Sequence, residues 1–279
     1  MPVKYFPIIK WKAGEQTALS QLVCNSSTIM PVIQIVNDIE PKLFFQQLQA
    51  IFPYPVYIDT SAHDNEDTSC TVLRDYIQTA QRNGIAAYPI INYQSLHYIP
   101  SGITNIAIYI PVPLNVGTQL STIIQEISSH THGIGIDLFL NAGVVWEQHT
   151  TLISFAYTSI LSQLVSLPAK INNYIICLTS FPENIAGIPS AQSATFQRFD
   201  IQIFTTIRAY FSQIKHRLHY SDYGVTKYTE SDIDFSRLRN PILHKIKYTT
   251  DDLYFIMKGS NNPRITYIDL AKTLVSTPY

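Results

Sequence analysis

Charge is scarce in this sequence. Only 14% of its 279 residues are Asp, Glu, Lys or Arg, and the net charge is -1. A chain so balanced has no overall field to draw in DNA, RNA or an anionic membrane, so bulk nucleic-acid binding is not expected and any anion site must be local. With 46% hydrophobic residues, the low charge also excludes a disordered chain. Cysteine is nearly absent. Cys24, Cys70 and Cys177 are scattered and form no CxxC pair, which excludes a disulfide framework or structural zinc and points to a reducing compartment. No apolar run approaches the roughly 20 residues of a membrane span. Residues 1–20 lack a basic start followed by an apolar core, so no signal peptide is read. The expected location is cytoplasmic, with no membrane partner. There is no GxSxG elbow and no Walker loop. His130 and His132 have no third ligand nearby in sequence, and His216 and His219 fall where a helix is ending, so histidine gives no metal site. The 18 tyrosines are spread along the chain without the clustering of an RNA-binding sheet.

What the chain does have is a succession of short apolar, β-branched runs: 5–10, 30–36, 55–59, 86–92, 105–111, 133–138, 173–178 and 218–223. Each is near-continuously apolar, as expected of strands buried on both faces of a parallel sheet. Helical patterns lie between them, at 15–23, 41–51, 69–81, 118–129, 144–164 and 195–214, the last with Phe196, Phe199, Ile203 and Ile207 at helical spacing. Strand and helix are read as alternating eight times, which implies βαβ units. Eight units in roughly 250 residues is the size of a (β/α)8 TIM-like barrel. An open doubly wound sheet is the alternative, but the first turn, KWKAGE from Lys10, is not the glycine-rich turn of a nucleotide-binding one. Residues 244–250 and 253–258, joined by Thr250-Asp251-Asp252, read as a β-hairpin inserted after strand 8, and 265–275 as the closing helix. No linker composition interrupts the chain, so residues 1–279 are expected to form one α/β domain.

A barrel places its chemistry at the carboxyl ends of its strands. The polar residues collected there are Lys10, Lys12 and Glu15 on unit one, Gln34 on two, Asp59 on three, Asn92 and Tyr93 on four, Asp137 on six, Ser180 on seven, and Asp222 and Tyr223 on eight; Lys258 comes from the hairpin. Asp59, Asp137 and Asp222 each close an apolar run, and a buried aspartate is costly unless paired or bound to metal. Read together with Glu15, they form a ring of carboxylates that supplies acid, base or ligands to a divalent metal such as magnesium. Read singly, each caps the next helix or pairs with a neighbouring cation. If strand one runs far enough, Lys10 and Lys12 alternate, one into the mouth and one outward. The anion facing them is Glu15, Asp222 or a ligand phosphate or carboxylate. Trp11 reads as packing, and Cys177 as an inert buried thiol.

Several pieces resemble the phage-associated beta protein family: YFPIIKWKAGE from Tyr5, MPVIQI from Met30, YIDTS from Tyr57, SFP from Ser180, Arg198 in the following helix, SDYG from Ser221, and KIKYTTDDLYFIMKG from Lys245. Their order holds over nearly the whole chain, and KWKxGE and the DYG/KxxYT pair are the most specific. The resemblance implies a setting of phage–host conflict. Two departures go with it. Members of the family continue past the closing helix, whereas this sequence stops at Tyr279, so the family's C-terminal tail is expected to be missing. Gln34, between Ile33 and Ile35, stands where an acidic residue is expected, which weighs against a metal on that strand. Two functions are then expected. One is a hydrolase or lyase acting on an anionic small molecule, a nucleotide or phosphodiester, with Lys10, Lys12 and Lys258 neutralising it. The other is a binding protein without turnover that sequesters such a ligand or docks on a protein partner.

Overall fold

The computed structural model describes residues 3–22, 28–63, 65–112, 118–166, 170–182, 184–224, 245–260 and 267–276. Cys24 and the expected element ends at 23, 244 and 265 lie outside them. Seven strands follow one another in a parallel sheet: β1 (Ile8–Lys10), β2 (Val32–Gln34), β3 (Val56–Asp59), β4 (Ala87–Asn92), β5 (Asn105–Pro111), β6 (Gly135–Val144) and β7 (Ile171–Thr179). The next strand, β8 (Ser193–Gln197), leaves the sheet, and β9 (Leu218–Ser221) completes it as the eighth. The chain just before β1 then meets β9. Tyr5 bridges to Tyr220, Phe6 N–H donates to the Tyr220 carbonyl at 2.9 Å, and Ile8 N–H to that of Asp222 at 2.9 Å. The fold is a (β/α)8 TIM-like barrel.

The continuous apolar runs have a simple cause. Alternate residues of each strand face the lumen, where Phe6, Val32, Tyr57, Ile90, Ala107, Phe139 and Ile175 pack together. The residues between them, among them Ile33, Ile58, Ile91, Ile108, Leu138 and Ile176, pack outward against the helices. The outer layer is α1 (Ala13–Gln21), α2 (Pro41–Ile51), α3 (Glu66–Arg82), α4 (Thr118–His130), α5 (Thr150–Leu164), α6 (Phe199–Tyr210) and α7 (Tyr267–Ser276). The start of α2 shows how sharply sequence sets these ends. The Glu40 carboxylate accepts the N–H groups of Lys42 and Leu43 at 3.1 and 3.0 Å, Pro41 occupies the first turn where no N–H is needed, and Phe44, Phe45 and Leu48 are buried. No helix among the described residues is long and apolar enough to cross a membrane.

Three expectations need correction. The alternation is not eightfold in helices: between β4 and β5 there is one 3-10 helix, Tyr93–Tyr98, in a connection too short for a full α-helix. β6 does not stop at Leu138 but runs to Val144, so the following helix starts at Thr150 and not at 144. The helix expected from Thr195 begins at Phe199, because 193–197 is β8. The hairpin itself is present as β10 (Lys245–Thr249) and β11 (Leu253–Lys258), paired from Lys245↔Lys258 to Thr249↔Tyr254. It is not a free arm. β8 pairs with the other edge of β11, making a three-stranded antiparallel sheet in the order β10-β11-β8, backed by Phe181, Ile188, Tyr254 and Ile256.

Candidate functional site

The period of two that fills the lumen also selects the residues at its mouth. One step beyond Ile8, Val32, Tyr57, Ile90 and Phe139 on the lumen face come Lys10, Gln34, Asp59, Asn92 and Asn141. A cavity of about 480 Å³ opens there, walled by Gln34, Asp59, Asn92, Tyr93, Asn141 and Tyr223, with Ser61, Gln94, Tyr109 and Pro111. A side chamber of about 220 Å³ shares Asp59, Ser61, Asn92, Gln94 and Tyr109 with it and continues between β3, the start of α3 and the 3-10 helix.

Asp59 is the centre of this site. It is 2% exposed. Its Oδ1 accepts the Ser61 N–H at 2.8 Å, and its Oδ2 accepts the Gln34 amide at 3.3 Å. Burial pushes its pKa above the usual carboxylate range, while the Ser61 and Gln34 hydrogen bonds pull it back. Across the mouth, the Asn141 amide donates to the Tyr223 hydroxyl at 3.0 Å and its oxygen accepts the Gly143 N–H at 2.9 Å. The latter contact sits at a bulge in β6, where Gly143 takes a φ of 64°. The amide is thus fixed in orientation. Asn141 and Tyr109 were not among the expected site residues. Counting in twos from Asp137 through Phe139 reaches Asn141, so the signal was present, but ending the strand at Leu138 hid it.

The remaining candidates lie elsewhere. Asp137 is not at a strand end; it sits deep in the lumen, held by the Tyr57 hydroxyl and by the Asn173 amide at 2.8 Å. Asn173 continues to His219 Nε2 at 3.0 Å, and burial holds His219 down at a pKa of about 4. Burial likewise raises Asp137, with its hydrogen bonds opposing. Asp222 belongs to the outer face of the wall. It accepts the Tyr5 hydroxyl at 2.5 Å and the Tyr220 hydroxyl at 3.0 Å, and Arg198 stands 3.6 Å away. Arg198 also pairs with Asp200 at 2.8 Å and donates to the Thr250 carbonyl at 2.9 Å. Ser180 donates to Asp200 in the same network. Lys258 is buried and donates to the carbonyls of Ala186 at 3.1 Å and Ile188 at 2.6 Å, which ties the 184–192 loop to β11. Lys12 precedes α1 as its N-cap and lines a separate groove with Trp11, Gln16 and Asn37, while half-buried Glu15 lies in the first turn of α1. Trp11 packs edge-on to Phe44 with centroids 4.7 Å apart.

The expected ring of carboxylates is therefore dispersed over four places: Asp59 at the mouth, Asp137 in the lumen, Asp222 on the outer wall and Glu15 in the first turn of α1. Among the described residues no three His, Cys, Asp or Glu side chains gather where they could hold a metal ion. What the mouth offers is one buried carboxyl, several amides and tyrosine hydroxyls, with Lys10 in register beside Gln34 on the neighbouring strand.

The family model described as Beta protein matches residues 5–279. The chain belongs to the Beta protein family. A search of curated proteins finds no match. The family match takes in every strand of the barrel and the β10-β11-β8 sheet, so both the mouth and the Arg198 network lie within the Beta protein region.

Proposed function

We propose that this member of the Beta protein family binds an anionic small molecule, a nucleotide or phosphodiester, in the barrel mouth and turns it over as a hydrolase or lyase. The reading rests on Asp59: a wholly buried carboxyl, raised in pKa by burial, forming the wall of a cavity of about 480 Å³. Burial raises the pKa of a carboxyl so placed and moves it towards the range in which a group both gives and takes a proton, which an exposed aspartate lacks. Lys10, on the lumen side of β1, supplies the charge for the anion, and Gln34, Asn92 and Asn141 supply amides to orient it. We also infer action in the cytoplasm, supported by the sparse cysteine, and a setting of phage–host conflict, which the motif resemblance implies. A second reading, sequestration without turnover, is favoured by the presence of one of the four expected carboxyls, Asp59, at the mouth.

Incubation with a panel of nucleotides and cyclic phosphodiesters, followed by product analysis, tests both. Turnover that Asp59→Asn lowers about 100-fold or more, within the usual range for acid–base groups, supports catalysis. Tight binding with no product in either protein supports sequestration, and no binding at all ends both readings.

A further inference from the structure

The side chamber and the β1 side of the mouth carry different charged groups. The chamber is acidic. Glu66 and Asp67 occupy the first turn of α3, and the N-terminus of that helix is already capped by Asn65, whose Oδ1 accepts the Thr68 N–H at 2.8 Å. An anion is therefore repelled there. Ser95, buried in the chamber wall, donates to Glu66 Oε1; among the described residues Glu66 Oε2 has no hydrogen-bond partner. His63 lines the same chamber, and its Nε2 is buried without a partner. Tyr109 stands in the wall common to the chamber and the mouth.

On the opposite side Lys10 lies on the lumen face of β1, in register with Gln34 of the mouth, whereas Lys12 and the N-terminus of α1, with Glu15 in its first turn, belong to the separate groove. Adjacent strands lie about 4.8 Å apart, so the two to three intervals from β1 to the chamber span roughly 10–14 Å. An extended nucleoside phosphate can cross that distance.

Resting on the nucleotide reading above, we propose that the ligand binds in one orientation, with its phosphate over β1 and its base in the side chamber, and that the base is guanine. The reason is hydrogen-bond polarity. Guanine presents two N–H donors on one edge, N1 and the exocyclic N2, which match the oxygens of one carboxylate; adenine presents an acceptor at N1 and is opposed by it. Asn92 and Gln94, in the wall shared with the mouth, have amides that can donate to the remaining acceptors of guanine. A site built to pair with donors discriminates strongly against an analogue that lacks them.

Isothermal titration of the full chain with GMP, AMP and guanosine, for the wild-type protein, Glu66→Gln and Lys10→Met, tests this. Glu66 is exposed and a glutamine keeps an oxygen for the Ser95 hydroxyl, so Glu66→Gln is expected to fold as wild type, which circular dichroism checks. The expected result is at least tenfold tighter binding of GMP than AMP. Glu66→Gln removes that preference while leaving AMP unchanged, and Lys10→Met weakens GMP and flattens its salt dependence while leaving guanosine unchanged. If both nucleotides bind the wild-type protein within twofold of each other, or Glu66→Gln changes nothing, the orientation and the base assignment fall while the nucleotide reading stands. If neither nucleotide binds, both fall.

Discussion

Asp59 sits where a charged carboxylate is expensive, and that cost has a measurable sign. Its pKa in the folded chain is raised by burial, so its contribution to stability is fullest in acid, below the unfolded value, and is lost as pH rises through the folded value. Asp59→Asn removes the charge and keeps an acceptor for the Ser61 N–H. Urea unfolding should therefore find the variant at least as stable as wild type at pH 7, with the difference closing as pH falls. A wild-type protein more stable than the variant at neutral pH would show that the carboxylate is better compensated than its two hydrogen bonds indicate. At this scale the sequence was partly legible. An aspartate ending an apolar strand flags a buried carboxyl, and Asp59, Asp137 and Asp222 are all buried. Which way each faces was not legible, because one residue of register turns a side chain from lumen to outer wall. Asp59 follows Tyr57 into the lumen, whereas Asp222 follows Tyr220 to the outside, and the two strings YIDTS and YSDYG give no hint of the difference.

The elements are held together by a few buried polar contacts, of which the Arg198 cluster is the densest. Its guanidinium touches Asp200, Asp222, Tyr220 and the Thr250 carbonyl, and so joins the start of α6, the end of β9 and the β10–β11 turn. Arg198→Met leaves two buried carboxylates without their cation and should lower the unfolding free energy by about 3–5 kcal/mol in denaturant titration. Arg198→Lys should recover only part of that, because an ammonium cannot reach the same partners with a planar fork. A loss under about 1 kcal/mol for Arg198→Met would mean the cluster is dispensable. The eight barrel strands were readable from their apolar runs, since burial on both faces leaves little choice of residue. β8 was not. It is exposed on alternate residues and carries one large apolar side chain, Phe196, whose separation of three from Phe199 imitates a helical face. Period alone cannot separate a short one-sided strand from the first turn of the helix that follows it.

At the scale of the whole molecule, the barrel is closed by residues from its two ends. Phe6 and Ile8 donate to Tyr220 and Asp222, and the Ser221 hydroxyl donates to the Phe6 carbonyl at 2.7 Å across 215 positions of sequence. A chain ending at residue 217 lacks β9 and leaves both β1 and β7 as bare edges. Size-exclusion chromatography should find it aggregated, and a monodisperse, folded product would show that closure is not required. The same seam bears on how the protein is made. At about 5–20 residues per second, a ribosome needs roughly 10–45 s to travel from the first partner to the last. For all of that time the earliest segment to leave the exit tunnel has a neighbour on one side only, waiting for the strand that completes its hydrogen bonds. Refolding in vitro carries the same burden as a search over long range, which places this chain among slow folders.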